Sequence, residues 1–321
     1  METKRIDILL ATYNPRENWL IELLDSLNRQ TYPNLHLYVR DDASPNYPLE
    51  RLRELLSQHV TAFPYTLLQN EQNMGSNKTF EALLSDAEGD YIAYCDQDDV
   101  WLPEKLENTL RLLTESPLSP TLVCANVRVI DGEGQEISPD MEHHRKRHVF
   151  LRGEGLAPQL FFRNYVIGCT LMMERRRALS YLPFPDRDPV HDHYLAFRAS
   201  LDGAIDYLAE PQMLYRVYGG NQTGVMTGVT TKEDYYHRRI ELFAARVALF
   251  ESLAPDLPEI REIAAWRDAR VQNYKRERGG FRALWRMRGQ NKSTSLFELV
   301  ALRLPTPLFR LAVRLIQKRV I

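Results

Sequence analysis

The sequence predicts an α/β protein with a doubly wound, mostly parallel sheet and a helical C-terminal extension, on three observations. Short apolar runs alternate with segments of helical period through the first 130 residues, the pattern of strands joined by crossover helices. From residue 232 onward apolar residues recur only at helical spacing. The charge also changes sign along the chain. Residues 271–321 hold twelve Lys and Arg against two Glu, although the whole chain carries −2. At 321 residues the length suits one large or two modest domains, and we expect a catalytic α/β domain over 1–230 and a basic amphipathic helical region over 231–321. With 44% hydrophobic and 26% charged residues a disordered or fibrous chain is excluded.

The elements follow in order. Residues 6–11 (IDILLA) form an apolar run that reads as a first strand. Asn14 and Pro15 then offer an N-cap and a first helical residue, with Leu20, Leu23, Leu24 and Leu27 as the apolar stripe. A second strand is expected over 35–39, ending at Arg40-Asp41-Asp42, with a helix over 49–56 and a third strand over 65–69. A helix over 76–87 buries Phe80, Leu83 and Leu84 on one face. Then come a strand over 90–95, a helix over 104–113 and a strand over 121–129. Past the turn at 131–134 the alternation stops. Residues 142–148 read as a polar, His-containing loop, 169–173 as a strand and 189–201 as a helix. Gly219, Gly220 and Gly224 read as a loop able to move.

Chemistry concentrates where the fourth strand ends, in Cys95-Asp96-Gln97-Asp98-Asp99-Val100-Trp101. Alternation at a strand end brings Asp96 and Asp98 to one side, about 7 Å apart at roughly 3.3 Å per residue. Carboxylates this close repel and raise each other's pKa. A hard divalent cation such as Mg²⁺ or Mn²⁺ relieves that repulsion and keeps coordination positions for phosphate oxygens. In doubly wound sheets ligands bind beyond the carboxyl ends of the strands, where Asp41, Asp42, Asp96 and Asp98 all fall. Cys95, Cys124 and Cys169 lie in apolar runs without metal-ligand spacing and read as buried thiols of a reducing compartment. The N-terminus leads directly into a strand, which predicts no secretory segment, and no run of 18 uncharged apolar residues predicts a transmembrane helix.

The motifs from residue 6 to about 224 resemble those of the family 2 glycosyltransferases of GT-A fold, closest to bacterial rhamnosyltransferase-like members. The likeness rests on Leu9-Leu10-Ala11-Thr12-Tyr13-Asn14, on Arg40-Asp41-Asp42-Ala43-Ser44, and on Asn73-Met74-Gly75-Ser76-Asn77-Lys78-Thr79-Phe80 followed by Gly89-Asp90 and Asp96-Gln97-Asp98-Asp99-Val100-Trp101. It ends with His191-Asp192-His193-Tyr194 and Tyr215-Arg216-Val217-Tyr218-Gly219-Gly220-Asn221. Tyr218 stands where relatives usually carry His.

The resemblance implies an inverting, metal-dependent, non-processive transfer from a nucleotide-diphosphate sugar to a hydroxyl. Asp98, assisted by Asp96, would hold Mg²⁺ or Mn²⁺ against the diphosphate. Asp96 could instead reach the ribose. Asp192 would be the general base and His191 its orienting neighbour. Asp41 or Asp42 would accept hydrogen bonds from the base or ribose. Thr12, Tyr13 and Asn14 would flank the pyrimidine, Asn73 and Lys78 would line the donor's path, and Arg216 would clamp the diphosphate. The implied donor is dTDP-rhamnose, with a UDP-sugar also possible, and the acceptor a lipid-linked or polysaccharide hydroxyl.

The basic helices that carry Trp285 and the segment 296–316 predict peripheral attachment to the anionic inner face of a cell membrane. They hold no recognisable nucleic-acid-binding motif. Two other readings compete. Residues 96–100 also fit the DxDx[TV] signature of haloacid-dehalogenase-like phosphatases, and Tyr218 leaves open a nucleotide-sugar-binding or scaffold protein without turnover.

Overall fold

The structure is a computed structural model that describes residues 3–145, 148–186, 188–218, 226 and 228–317. The chain forms two compact units, Met1–Gly219 and Gly220–Ile321. The first unit opens β1 (Ile6–Thr12), α1 (Glu17–Asn28), β2 (Leu35–Asp41), α2 (Leu49–His59), β3 (Tyr65–Gln69), α3 (Ser76–Asp86) and β4 (Tyr91–Cys95). It continues with β5 (Val100–Trp101), α4 (Lys105–Glu115), β6 (Leu122–Ile130), β7 (Glu136–Ser138), α5 (Met141–His144), α6 (Ala157–Leu160), β8 (Met172–Glu174), α7 (Arg175–Leu179), α8 (His191–Asp202) and β9 (Ile205–Arg216).

One sheet runs β3-β2-β1-β4-β8-β6-β9-β5, with β7 on β6. Its long pairings, β1 with β2 and β4, β2 with β3, and β6 with β9, are parallel, whereas the antiparallel ones are short. The expected α/β class with a mostly parallel, doubly wound sheet is therefore what the chain adopts. Strands β1, β4 and β6 are buried almost throughout, so they read as continuous apolar runs rather than alternating ones. Leu20, Leu23, Leu24 and Leu27 of α1 and Phe80, Leu83 and Leu84 of α3 are all buried, as their spacing requires.

Four details differ from the sequence reading. Helix α1 begins after Arg16, not at Asn14. Asn14 sits at φ 43, its N–H donates to Ser44 Oγ at 2.8 Å, and its Oδ1 accepts from Asn46 N–H at 2.9 Å. A cross-loop bridge has taken the side chain that would have capped the helix. The expected strand at 169–173 is a 3₁₀ turn, Gly168–Thr170, followed by the three residues of β8. The polar loop at 142–148 begins as α5, capped by Asp140, which accepts from His143 N–H. The twelve-residue β9 went unpredicted because Asp206, Glu210 and Pro211 break its apolar pattern. Proline is tolerated there because the ladder with β6 shifts register on either side of the Asn126–Pro211 pair.

The second unit holds α9 (Lys232–Tyr235), a π-turn (Tyr236–Glu241), α10 (Leu242–Leu253), α11 (Ile260–Lys275), α12 (Gly280–Arg286), α13 (Lys292–Ala301) and α14 (Thr306–Gln317). Its core joins Val229, Tyr235, Ile240, Ala301, Leu302, Phe309 and Val313. A buried ion pair crosses it: Arg270 Nη2 lies 2.6 Å from Glu298 Oε1, which also accepts from Tyr235 Oη at 2.9 Å. The extra hydrogen bond matters, because a buried pair offsets its desolvation only when its remaining polar atoms are partnered. No described helix is long and apolar enough to cross a membrane.

Candidate active site

Parallel register aligns Thr12 with Asp41 and Leu10 with Cys95, so the residues after β1, β2 and β4 emerge along one edge of the sheet. This gathers the predicted residues from three distant sequence segments, and the structure builds two different acidic groups from them.

The first is saturated with donors. Asp41 accepts from Thr12 Oγ1 at 3.2 Å, from Ser44 N–H at 2.9 Å and Oγ at 2.5 Å, and from Gln69 Nε2 at 3.2 Å. Asp42 accepts from Asn70 Nδ2 at 2.8 Å and from the N–H groups of Met74 at 2.7 Å and Gly75 at 2.9 Å. Gly75 caps α3 at φ 79, a conformation that disfavours a side chain. Thr12 is buried and Asn73, next to the Met74 amide, is exposed. Tyr13 is 44% exposed, the most open aromatic ring of this loop, while its backbone is gripped at both ends by Gln97. Lys78 donates to Phe184 O at 2.9 Å and lies 3.2 Å from Glu81 and 3.3 Å from Asp186, so its ammonium tethers the segment before α8.

The second group, beyond β4, is short of donors. Burial, then Asp98 and Asp192, raise the Asp96 carboxyl to about 7. Asp98 is raised by burial and accepts from the Tyr218 hydroxyl. Asp99 is 1% exposed and pushed well up by burial and by its two neighbours. One of its oxygens accepts from Arg216 N–H at 2.9 Å, whereas Oδ2 is buried with no hydrogen-bond partner. Ligand atoms of Asp96, Asp99 and Cys169 lie within 4.8 Å of one another. The Cys169 thiol is held protonated by burial, which leaves carboxylate oxygens as the donors suited to a cation. Three adjacent carboxyls raised by burial and one orphaned oxygen fit a hard divalent ion.

Asp192 stands in the first turn of α8. Its Oδ1 accepts from His193 N–H at 2.6 Å, and Gly168 N–H and Asn164 also hydrogen-bond it, yet burial still raises it to about 6. A Cβ at Gly168 would stand 3.1 Å from Asp192 Oδ2, so a side chain there would push on this carboxylate. His191 donates its N–H to Asn77 at 2.7 Å. Its ring lies between Phe80 (4.2 Å) and Tyr94 (5.3 Å), and burial lowers it to about 3, so the imidazole is neutral. Nδ1 of His191 and the hydroxyl of Tyr94 are both buried without a hydrogen-bond partner.

Arg216, read from the sequence as a diphosphate clamp, is 1% exposed. Its Nε donates to Asp98 O at 2.9 Å, Nη1 to Asp131 O at 3.3 Å, and Nη2 pairs with Glu22. The guanidinium thus braces the Asp98–Asp99 turn from beneath. Gly219, Gly220, Asn221 and Gly224 lie outside the described residues.

Sequence reasoning missed Lys105. It is 1% exposed, donates to Cys169 O at 2.8 Å and stands 2.9 Å from the centre of the Trp101 ring. Burial lowers its ammonium to about 7, against the pull of the thiols and of Asp99 and Asp96. The available signal was helical period: Lys105 shares the inward stripe of α4 with Thr109 and Leu113.

Comparison with known proteins agrees with this arrangement. Residues 7–182 match the family model described as glycosyl transferase family 2, a span that includes both acidic groups. An uncharacterised protein of Mycobacterium tuberculosis is 30% identical over 217 residues, 66% of this chain; the chain spans 58% of that relative's length. The UDP-Glc:alpha-D-GlcNAc-diphosphoundecaprenol beta-1,3-glucosyltransferase WfgD of Escherichia coli is 26% identical over 200 residues, covering 61% of this chain and 69% of its own. The dTDP-rhamnosyl transferase RfbG of Shigella flexneri is 24% identical over 226 residues, covering 67% and 73%. Among solved structures, S. aureus TarS in complex with UDP-GlcNAc has TM-score 0.60 at 17% identity over 98% of this chain and 92% of its own. The mannosyltransferase PcManGT of Pyrobaculum calidifontis, in complex with GDP-Man and Mn²⁺, has TM-score 0.56 at 18% identity over 99% and 87%. At such identities these structures share a fold, which is the GT-A fold expected. With sheet order, motif positions and family model in agreement, the chain belongs to glycosyl transferase family 2.

Proposed function

We propose that the protein transfers a sugar, with inversion and one residue at a time, from a nucleotide-diphosphate sugar to a hydroxyl of a lipid-linked or polysaccharide acceptor in cell-surface glycan synthesis. The observation that carries this reading is the pairing of two half-buried, raised carboxyls, Asp96 beyond β4 and Asp192 at the start of α8, with Asp192 close enough for its charge to raise Asp96. Asp96 and Asp98 would hold Mg²⁺ or Mn²⁺, and Asp99, whose ligand atom lies within 4.8 Å of that of Asp96, would support them. When bound, the ion would neutralise charge gathering on the departing diphosphate. Asp192 accepts the proton of the attacking hydroxyl. A carboxyl near pH 6 is ionised at neutral pH yet more basic than an ordinary aspartate, as a general base should be. Attack from the Asp192 side, opposite the leaving group, inverts the anomeric centre.

The neighbouring residues position these parts. The half-open Tyr13 ring offers a stacking surface for the nucleotide base, with Thr12, Asn14 and Asn73 around it. Asp41 and Asp42 hold that loop in shape, and Lys78 secures the segment leading to Asp192. Arg216 fixes the Asp98–Asp99 turn. His191 and Tyr94 form an aromatic wall with Phe80, each with a buried polar atom that has no hydrogen-bond partner. RfbG, whose name states dTDP-rhamnosyl transfer, favours dTDP-rhamnose, while WfgD favours a UDP-sugar and a diphosphoundecaprenol-linked acceptor. PcManGT with Mn²⁺ favours manganese. On α14, Phe309 and Val313 face the core while Leu308, Leu311, Arg310 and Arg314 are exposed, which supports docking on the anionic inner face of a cell membrane.

A panel of nucleotide sugars assayed for binding and for donor hydrolysis, with Mn²⁺, Mg²⁺ or EDTA, tests the assignment. One donor should bind and turn over only with a divalent ion. A panel in which no nucleotide sugar binds under any metal condition removes the reading.

A further inference from the structure

The surface of the helical unit carries an open depression of ≈ 240 Å³ lined by Lys232, Asn273, Tyr274, Arg276, Leu302 and Arg303, with Arg276 and Arg303 exposed. Three of the six are cations, supplied by the start of α9, the residue after α11 and the segment after α13. Arg303 is held in place: Nη1 donates to Leu299 O at 3.0 Å, Nη2 to Asn273 Oδ1 at 2.8 Å, and its guanidinium lies 4.5 Å from the centre of the Phe281 ring. Arg276 follows α11 at φ 58, a left-handed conformation uncommon for a residue with a side chain.

Among the described residues Lys232, Arg276 and Arg303 pair with no carboxylate. Glu298 is taken by Arg270 at 2.6 Å, and Glu233 lies 3.9 Å from His237. Partial desolvation of the exposed Arg303 side chain and the nearby Arg276 both disfavour its charge. Holding like charges together is unfavourable unless an anion completes the cluster. A planar guanidinium fixed by its neighbours suits phosphate oxygens, and an ammonium adds a point charge beside it. The volume falls below the roughly 300–1,000 Å³ typical of sites for drug-sized ligands, so it suits a phosphorylated head rather than a whole nucleotide sugar.

We propose that this depression is an anion site that takes a phosphate or diphosphate group, built from residues entirely different from the acidic group that would hold the donor. The phosphate can belong to a lipid headgroup or to a soluble phosphorylated compound, and the chemistry of recognition is the same.

Calorimetric titration of the full chain with inorganic diphosphate in EDTA tests the site. Without metal, the bare carboxylates of Asp96, Asp98 and Asp99 repel diphosphate, so binding elsewhere is read directly. The wild type should bind saturably, and Arg276→Gln/Arg303→Gln at least about tenfold more weakly, the loss expected for charge-assisted hydrogen bonds. Arg303→Lys keeps the charge and should retain more affinity than Arg303→Gln, which separates anion binding from a folding defect. Sedimentation with phosphatidylcholine vesicles, with and without phosphatidic acid, distinguishes the sources. Capture only by phosphatidic acid vesicles, reversed by free diphosphate, assigns a headgroup. Diphosphate binding without vesicle capture assigns a soluble ligand. Absence of saturable diphosphate binding, or full binding by the double variant, overturns the proposal.

Discussion

Two acidic groups stand beyond the carboxyl ends of strands in one sheet, and they are built in opposite ways. Asp41 and Asp42 are enclosed by backbone N–H, hydroxyl and amide donors, so their charge is spent on holding loops. Asp99 is buried beside the half-buried Asp96 and Asp98; burial raises all three, Asp98 raises the other two further, and one Asp99 oxygen is left without a partner. A carboxylate satisfied by its own protein serves as scaffold. A cluster left short of donors is costly to the isolated chain and is the place for a ligand of opposite charge. Family membership alone does not separate these roles, because both groups lie inside the matched span.

The largest expected effect concerns Asp192, which belongs with the under-satisfied group. Asp192→Asn should lower transfer by roughly 10²–10⁴-fold, the range for loss of a positioned general base, with donor affinity retained in calorimetry. Near-normal transfer by this variant would remove the base assignment. In the wild type the transfer rate should rise with pH around a midpoint near 6, as Asp192 loses its proton.

Stability gives the sharpest contrast between the groups. Asp42→Ala strips the acceptor from two backbone N–H groups and the Asn70 amide, and should cost about 1–3 kcal/mol in denaturant unfolding. Asp99→Asn keeps an acceptor for Arg216 N–H and removes a repelled charge, so in EDTA at pH 8 its melting temperature should equal or exceed that of the wild type. Comparable losses in both variants would erase the distinction drawn here.

A smaller effect follows from linkage. Asp96 and Asp192 have folded-state pKa values of about 7 and about 6, above the ordinary value of 3.8, so the native state binds protons more tightly than the unfolded state. Their contribution is fully present below about pH 4 and is lost as pH rises through 6 to 7. Metal-free protein should therefore lose stability over that window, and Asp96→Asn should lose less. The smallest effect is expected for Tyr218→Phe, which removes the hydroxyl donated to Asp98 and should change transfer by less than about tenfold.

Much of this was legible in the sequence because the strands that build the site are buried on both faces and read as apolar runs. The acidic motif also follows one of them directly. Asp96 and Asp98 were singled out by residue type and position, and Asp192 by the family resemblance. Three kinds of feature were hidden. The spent state of Lys78 and Arg216 depends on partners 106 and 194 positions away, Phe184 and Glu22, which no local pattern announces. Lys105 is a residue type usually found on a helix surface, and only its place on the inward stripe of α4 signals burial. Strand β9 carries a proline and two acids that a register shift accommodates, so alternation failed exactly where Arg216 and the link to Tyr218 are supplied.

The central claim is that the under-satisfied cluster binds the diphosphate of a sugar donor through a divalent cation. Calorimetric titration of the corresponding nucleoside diphosphate, with Mn²⁺ and with EDTA, into wild type and Asp98→Ala measures it most directly. The account predicts Mn²⁺-dependent binding by the wild type, worth roughly 2.7 kcal/mol of added stability at 100 times Kd, and its loss in the variant. Equal binding in EDTA, unchanged by Asp98→Ala, would contradict it.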